Sequence, residues 1–369
     1  MIMNRPMWKT RHSRHGFTLV EIMVGMVVGL LALLVVMQVF GSFEGQKRIT
    51  TGTADTQTSG ALALQAVLRE TQLAGYGFAL FHRGANLLNC TTALNGSTMA
   101  GGFSTVPIVI VNGDGAENDT ITVRYGGSMS GGIATQITRR DGDVLSVSSN
   151  LGCRVGDSLI MSNGGDTCYL LSVEDLPAPA TNTTEITLDA DGYADLESPL
   201  PSGSLPAPGD SPWFASCLGQ YREVTFSVAD EGDRLLRNGQ EIATGIVSMQ
   251  AQYGISDSAG DSAIQQWVDA TGDWANLGNT DRRKRIKAVR VAIVARSSLR
   301  DPEPVSQACN QATDPPTGVC AWKDESLGGF DSPAPVIDLS GAADWDHYRY
   351  RVFETIIPLR NVVWAKGAM

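Results

Sequence analysis

The feature that most constrains this chain is an apolar run from Phe17 to Phe40. Its 24 residues carry one charge, Glu21, and only Thr18, Gln38, Gly25 and Gly29 interrupt a surface rich in Met, Val and Leu. At a rise of about 1.5 Å per residue, a helix of this length crosses the roughly 30 Å hydrocarbon core of a bilayer. Glu21 is the anomaly. A carboxylate in that setting costs up to roughly 2.5–3.5 kcal/mol at the bilayer centre and less near the headgroups, so its presence requires a cause.

The residues before the run supply one. The first sixteen hold Arg5, Lys9, Arg11 and Arg14 and no acid, a flank that stays cytoplasmic and sends the remainder across the membrane. Cleavage between Gly16 and Phe17 would create a new amino group, with Glu21 fifth when Phe17 is counted as first. Copies packed side by side could then pair amine with carboxylate. An ordinary secretory signal has a shorter apolar core, followed by a small-residue cleavage site. A plain anchor explains the length but not the order Gly16-Phe17-Thr18-Leu19-Val20-Glu21. Gly25 and Gly29 could let helices approach closely, and they are equally ordinary membrane-helix glycines.

That contiguous six-residue match resembles the class III signal of type IV prepilins and of type II secretion pseudopilins. The resemblance implies that a membrane prepilin peptidase cuts after Gly16 and N-methylates Phe17. It also places Glu21 where the family has the glutamate that contacts a neighbouring subunit's terminus, with Thr18, Leu19 and Val20 beside it in assembly. The family typically has a proline in mid-helix. Gln38 stands there in this chain, and no proline kink is expected.

Removing the leader's four cations leaves 24 Lys+Arg against 39 Asp+Glu, a formal balance of −15. Such a surface is of the wrong sign for nucleic acid and suits a domain outside the cytoplasm. The six cysteines, Cys90, Cys153, Cys168, Cys217, Cys309 and Cys320, all fall on that outer side and are disulfide candidates. Proximity in sequence pairs Cys309 with Cys320 and Cys153 with Cys168, leaving Cys90 with Cys217. No Cys-x-x-Cys pair supports zinc. Asp189-Ala190-Asp191-Gly192 lacks the glycine and closing glutamate of a calcium loop, so neither metal nor cofactor is expected.

Past Phe40 a helix is predicted to continue or resume to about Ala74. Leu62, Leu64, Val67, Leu68 and Leu73 form its apolar stripe, Arg69, Glu70 and Gln72 lie among the polar positions, and Gly75-Tyr76-Gly77 stops it. Residues 45–60 are rich in Thr and Gly and should weaken it. After Gly84 short strands are predicted at Pro107–Val111, Thr120–Tyr125, Val144–Ser148, Ser158–Met161, Tyr169–Val173 and Glu185–Leu188. The five prolines of 198–212 mark a linker or long loop. Strands come next at Glu223–Val228, in a hairpin around Asn238-Gly239, and at Ile246–Ile255 and Ile286–Ala295. The last is almost continuously apolar or small, as a central strand covered on both faces would be.

Leu68–Gly77, Gly245–Ile255, Val289–Ser297 and Tyr350–Asn361 resemble the end of the long helix and the C-terminal strands of PilW-type minor pilins. Residues 85–215 carry no such motif. The resulting expectation is an α+β, pilin-like fold in which a long N-terminal helix, membrane-spanning then amphipathic, packs on an antiparallel sheet with large β-rich insertions. Its parts would be a leader (1–16), an assembly helix (17–40), a continuation (41–76), a β-rich domain (77–361, insertion at about 85–215) and a tail (362–369). The resemblance implies a minor pilin that primes a type IV pilus and sits at or near its tip. Other minor pilins, the major pilin, a large tip adhesin and an inner-membrane platform would be its partners. The alternatives are a J-type minor pseudopilin and a membrane-anchored periplasmic binding or adhesin domain.

Catalytic signals are sparse. His82 and His347 are the sole imidazoles after the leader, and no Gly-x-Ser-x-Gly, Walker or His-Glu-x-x-His motif occurs; an enzyme is not expected. The basic cluster Arg282-Arg283-Lys284-Arg285 with Lys287 reads most simply as a solvated turn, and more sharply as a contact with an acidic neighbour. Trp267, Trp274, Trp322 and Trp345 read mostly as local core plugs.

Overall fold

The computed structural model describes residues 16–78, 92–95, 104–115, 117–128, 133–164, 167–177, 184–189, 203–204, 211–229, 233–327 and 329–364. The basic leader, His82, Cys90, most of the 198–212 linker and residues 190–192 of the calcium-loop reading lie outside these. Contacts divide the chain into two compact units, Met1–Gly52 and Thr53–Met369.

One helix, α1, runs Leu19–Gln72 without a break through 45–60. The threonines that should weaken it are accommodated: Thr50 and Thr58 donate their hydroxyls to the carbonyls of Gln46 and Ala54, both at 2.9 Å, so neither competes for the helical amides. Gly75 and Gly77 take positive φ, 74° and 78°, and end the helical path. The Gly75 amide donates to the Arg124 carbonyl at 2.9 Å and the Gly126 amide to Tyr76 at 2.6 Å, which ties the turn to the sheet beside it.

Two antiparallel sheets receive the C-terminal part of α1. The first has five strands in the order Gln240–Thr244, Arg234–Arg237, Tyr221–Val228, Thr120–Gly126, Ile108–Val111. Asn238 and Gly239, at φ 51° and 75°, form the expected hairpin turn. The second has four strands in the order Gln266–Val268, Ile246–Ile255, Ile286–Arg296, Tyr350–Pro358. Ala63 and Val67 of the helix and Ala74 just past its end share one core with Ile121 and Phe226 of the first sheet and with Tyr253, Val289, Val291 and Ile293 of the second. Gly60 is required at this contact, because a Cβ there would run into the Phe353 ring.

Ile286–Arg296 is the central strand expected, with its first ten residues buried. Its other face meets a smaller cluster in which Ala292 and Val294 pack with Val319, Ala321 and Ile337. The long segment after the strand supplies that cover, and the Cys309–Cys320 disulfide closes it.

The β-rich stretch before the linker is not one block. Ile108–Val111 and Thr120–Gly126 belong to the five-stranded sheet, and six further strands form a closed ring. Ala134–Asp141, Val144–Val147, Glu185–Asp189, Thr167–Asp175, Ser158–Ser162 and Phe214–Gly219 pair antiparallel in that order, and the last pairs with the first. Closure removes the exposed strand edges. The interior includes Ile137, Leu145, Leu159, Met161, Leu171, Ile186, Leu188 and Trp213. The barrel leaves the five-stranded sheet after Gly126 and returns at Tyr221, on strands that pair directly. At this neck Gly219 has φ +71° and a Cβ there would crowd the Ser128 amide.

The barrel corrects two predicted disulfides. Cys153 bonds Cys217, not Cys168, and Cys217 is therefore not joined to Cys90. Cys168 is also disulfide-bonded, to a residue outside those described. Proximity in sequence misled because Cys217 sits on a strand paired with Ser158–Ser162, while Cys153 lies just before that same strand. The Cys309–Cys320 pairing agrees with the reading.

Candidate processing and assembly site

Gly16, Phe17 and Thr18 precede the first helical turn, and Phe17 is 80% exposed. Thr18 occupies the cap. Its hydroxyl accepts from the Glu21 amide, and the Glu21 carboxylate accepts from the Thr18 amide and hydroxyl, each at 3.3 Å. This reciprocal pair is a capping box, legible in sequence as Thr-x-x-Glu but overlooked there. Glu21 therefore has a local partner within its own chain before any neighbour arrives, and the first-turn acid also complements the helix dipole.

Leu19–Gly41 is long and apolar enough to cross a membrane, and none of it is buried. Leu19, Val20, Leu30 and Leu34 are all more than half exposed. A Cβ built at Gly25 or Gly29 meets nothing within 4 Å. The apolar surface continues around the helix, so it presents several contact faces rather than one seam.

In the globular unit several charged groups are held by internal partners. Glu70, which the sequence places among polar positions, accepts from the Tyr125 hydroxyl at 2.5 Å and pairs with Arg237 at 2.6 Å; it fastens helix to sheet. Asp119 accepts from the Gly113 and Ala251 amides at 2.9 and 2.7 Å, and the Ile110 amide donates to the Tyr253 hydroxyl at 2.6 Å. These bonds stitch the two sheets together. Burial pushes the Asp119 carboxyl up to about 6, against the opposing pull of its two amide donors.

Arg290, 1% exposed, sits between two of the tryptophans, 5.2 Å from the Trp267 ring and 4.9 Å from Trp322. It donates to Gln252 at 2.6 Å and to the Pro333 carbonyl at 2.8 Å. Burial pulls its guanidinium down to about 10, and Glu325, Asp269, Glu354 and Asp324 pull the other way. Two of the expected core plugs are thus a cation clamp.

The basic cluster is neither a solvated turn nor a free patch. Arg282 pairs with Asp273 at 2.6 Å, Arg283 donates to the Leu277 carbonyl, and Lys287 donates to Lys284. Arg285 donates to Ser256 at 2.8 Å and lies 5.3 Å from the Trp274 ring. Trp345 caps its short turn by accepting from the Tyr350 hydroxyl at 2.9 Å, and His347 lies against the Asp301 carbonyl at 2.9 Å. Among the described residues no group of His, Cys, Asp and Glu has the arrangement of a metal site.

Ahead of the globular unit in sequence, the helix has a capped start and an apolar segment, Leu19–Gly41, none of which is buried, and residues 11–37 match the prokaryotic N-terminal methylation motif. Residues 222–361 match the family described as Type IV Pilus-assembly protein W. The two matches support a PilW-type prepilin, a minor pilin related to the type IV pilus. The family match begins one residue after the first residue of the strand that returns from the barrel. No curated protein and no solved structure matches the chain.

Proposed function

We propose that this minor pilin primes assembly of a type IV pilus and is incorporated at or near its tip. Prepilin peptidase cuts between Gly16 and Phe17 and methylates the new terminus. The Leu19–Gly41 segment holds the chain in the inner membrane with the globular unit in the periplasm until it enters the filament. Other minor pilins, the major pilin, the assembly platform and a large tip adhesin are the partners. The observation that carries this reading is the Gly16–Glu21 signal in front of an apolar segment, Leu19–Gly41, that buries none of its surface in its own chain. In the assembly step Glu21 exchanges its contact with the Thr18 amide for the Phe17 amine of a neighbour. In a low-dielectric setting a pair of full opposite charges is stronger than the bond from a neutral amide to the carboxylate that it replaces.

Intact mass and N-terminal sequencing of the membrane-extracted protein test the processing step, with a chain beginning at N-methyl-Phe17 expected. A chain still starting at Met1 in cells with active peptidase overturns it. Glu21→Val is expected to remain processed and folded yet fail to co-purify with sister pilins. Unchanged co-purification removes Glu21 from assembly.

A further inference from the structure

The Tyr350–Pro358 strand lies at the end of the four-stranded sheet, and its pairing with Ile286–Arg296 is unbroken over nine residue pairs. Two bonds at its ends set the phase: Leu359 donates to Lys287 and Ser297 to Arg349, both at 2.8 Å. In an antiparallel ladder inward and outward residues alternate. Odd-numbered residues therefore bond the central strand, and Tyr350, Val352, Glu354 and Ile356 turn their amides and carbonyls outward. Among the described residues nothing accepts from those four amides. Pro358, exposed and without an N–H, ends the row.

The other edges of the two helix-bearing sheets are managed. Gln266–Val268 is three residues long and is met by the Phe330–Ser332 strand, with Trp267 donating to the Ser332 hydroxyl at 3.0 Å. Ile108–Val111 has the Ile110 amide capped by Tyr253. Gln240–Thr244 is five residues long, and its register shifts at Leu235/Leu236. A long, regular, open edge is a template for pairing that proteins ordinarily blunt.

We propose that the outer edge of Tyr350–Pro358 is a strand-addition site for an extended segment of a different polypeptide, one carrying an acidic residue beside Arg351. Arg351 is exposed, rests 5.8 Å from the Phe353 ring, and has no carboxylate partner among the described residues. A second copy of this chain would not supply one. In antiparallel self-pairing, residues of one parity face each other, so Arg351 meets itself, Phe353, Thr355 or Ile357 and never Glu354. Backbone bonds hold the incoming strand, and Arg351 together with the half-exposed Ile356 select its side chains. This site stands apart from the N-terminal signal and does not depend on placement at the pilus tip.

The probe is an acetylated, amidated peptide Thr-Val-Thr-Asp-Thr-Val-Thr, with counterparts carrying Lys or Pro in place of Asp. Binding to the detergent-solubilised full chain is read by fluorescence anisotropy, and protection by amide hydrogen exchange. The Asp peptide is expected to bind, to slow exchange at Val352, Glu354 and Ile356, and to bind about fivefold tighter than the Lys peptide. Ile356→Pro removes an outward amide and leaves the inward bonds intact, and weakens binding about tenfold. Arg351→Glu reverses the Asp-over-Lys preference, and this variant tests the site should Ile356→Pro fail to fold. No binding of the Asp peptide at millimolar concentration, binding unaltered in Ile356→Pro, or an unchanged charge preference in Arg351→Glu overturns the proposal.

Discussion

The two ends of the Leu19–Gln72 helix face opposite problems. Along Leu19–Gly41 every large apolar side chain is exposed, whereas Ala63 and Val67 further on are completely buried. The later residues find their partners in the same chain. The earlier ones find none in their own chain. Gly60 and Gly25 make the contrast concrete, since an added methyl at Gly60 strikes Phe353 and one at Gly25 touches nothing. Small residues in one helix thus serve two purposes, close packing already achieved and close packing still available.

If the globular unit is internally complete, damage there should lower the stability of the isolated, detergent-solubilised chain, and damage to the apolar segment should not. The largest effect is expected from replacing Cys153 and Cys217 together by Ala. Their bridge spans a sequence separation of 64, and its loss costs about 4 kcal/mol by loop-closure entropy, read as a lower midpoint in urea unfolding. Removing the Cys309–Cys320 bridge, with a separation of 11, costs about 3 kcal/mol on the same basis.

Arg290→Ala comes next. It leaves the Gln252 oxygen and Pro333 carbonyl with one donor fewer and opens the space between Trp267 and Trp322. A loss of about 3 kcal/mol is expected, with a red-shifted tryptophan emission as the second readout.

Asp119 adds a pH dependence. Its folded-state value of about 6 lies above the unfolded 3.8, so the native state holds the proton more tightly. That contribution is fully present below about pH 4 and is lost as pH rises through 6, a change of about 2–3 kcal/mol. Asp119→Asn is expected to flatten the thermal-stability profile between pH 4 and 6, and an unchanged profile would assign the slope to other groups.

The smallest effects sharpen the comparison directly. Gly60→Ala should lower stability by about 1–2 kcal/mol as the Phe353 ring is forced aside. Gly25→Ala and Gly29→Ala should leave unfolding within about 0.5 kcal/mol. Equal losses at Gly60 and Gly25 would dissolve the distinction between the two ends of the helix.

The readable parts of the chain were those whose signal is local. The strand limits at Thr120, Ile246 and Ile286, the Asn238-Gly239 turn and the glycines at 75 and 77 derive from alternation, turn chemistry and helix stopping, which act over a few residues. Ala134–Asp141 and Phe214–Gly219 escaped notice. The first carries Thr135, Gln136, Thr138, Arg139 and Arg140 among its few apolar positions, and the second comes after the proline-rich linker with Ser216 and Cys217 inside it. Without these two strands the ring cannot close, so the barrel was invisible even though its other four members were legible. The clamp around Arg290 was hidden for a different reason. Trp267, Gln252, Trp322 and Pro333 are far apart in sequence, and none carries a mark of its destination.

Order along the chain was enough to reveal the N-terminal methylation motif, the membrane-length apolar segment, the α+β class and the central strand, because each depends on composition or periodicity within one segment. Only the tertiary structure decided the barrel, the Cys153–Cys217 bridge, the burial of Arg290 and Asp119 and the open edge at Tyr350–Pro358. Those depend on which distant segments share a hydrogen-bonded register, and register is a property of pairs of strands that no single strand encodes.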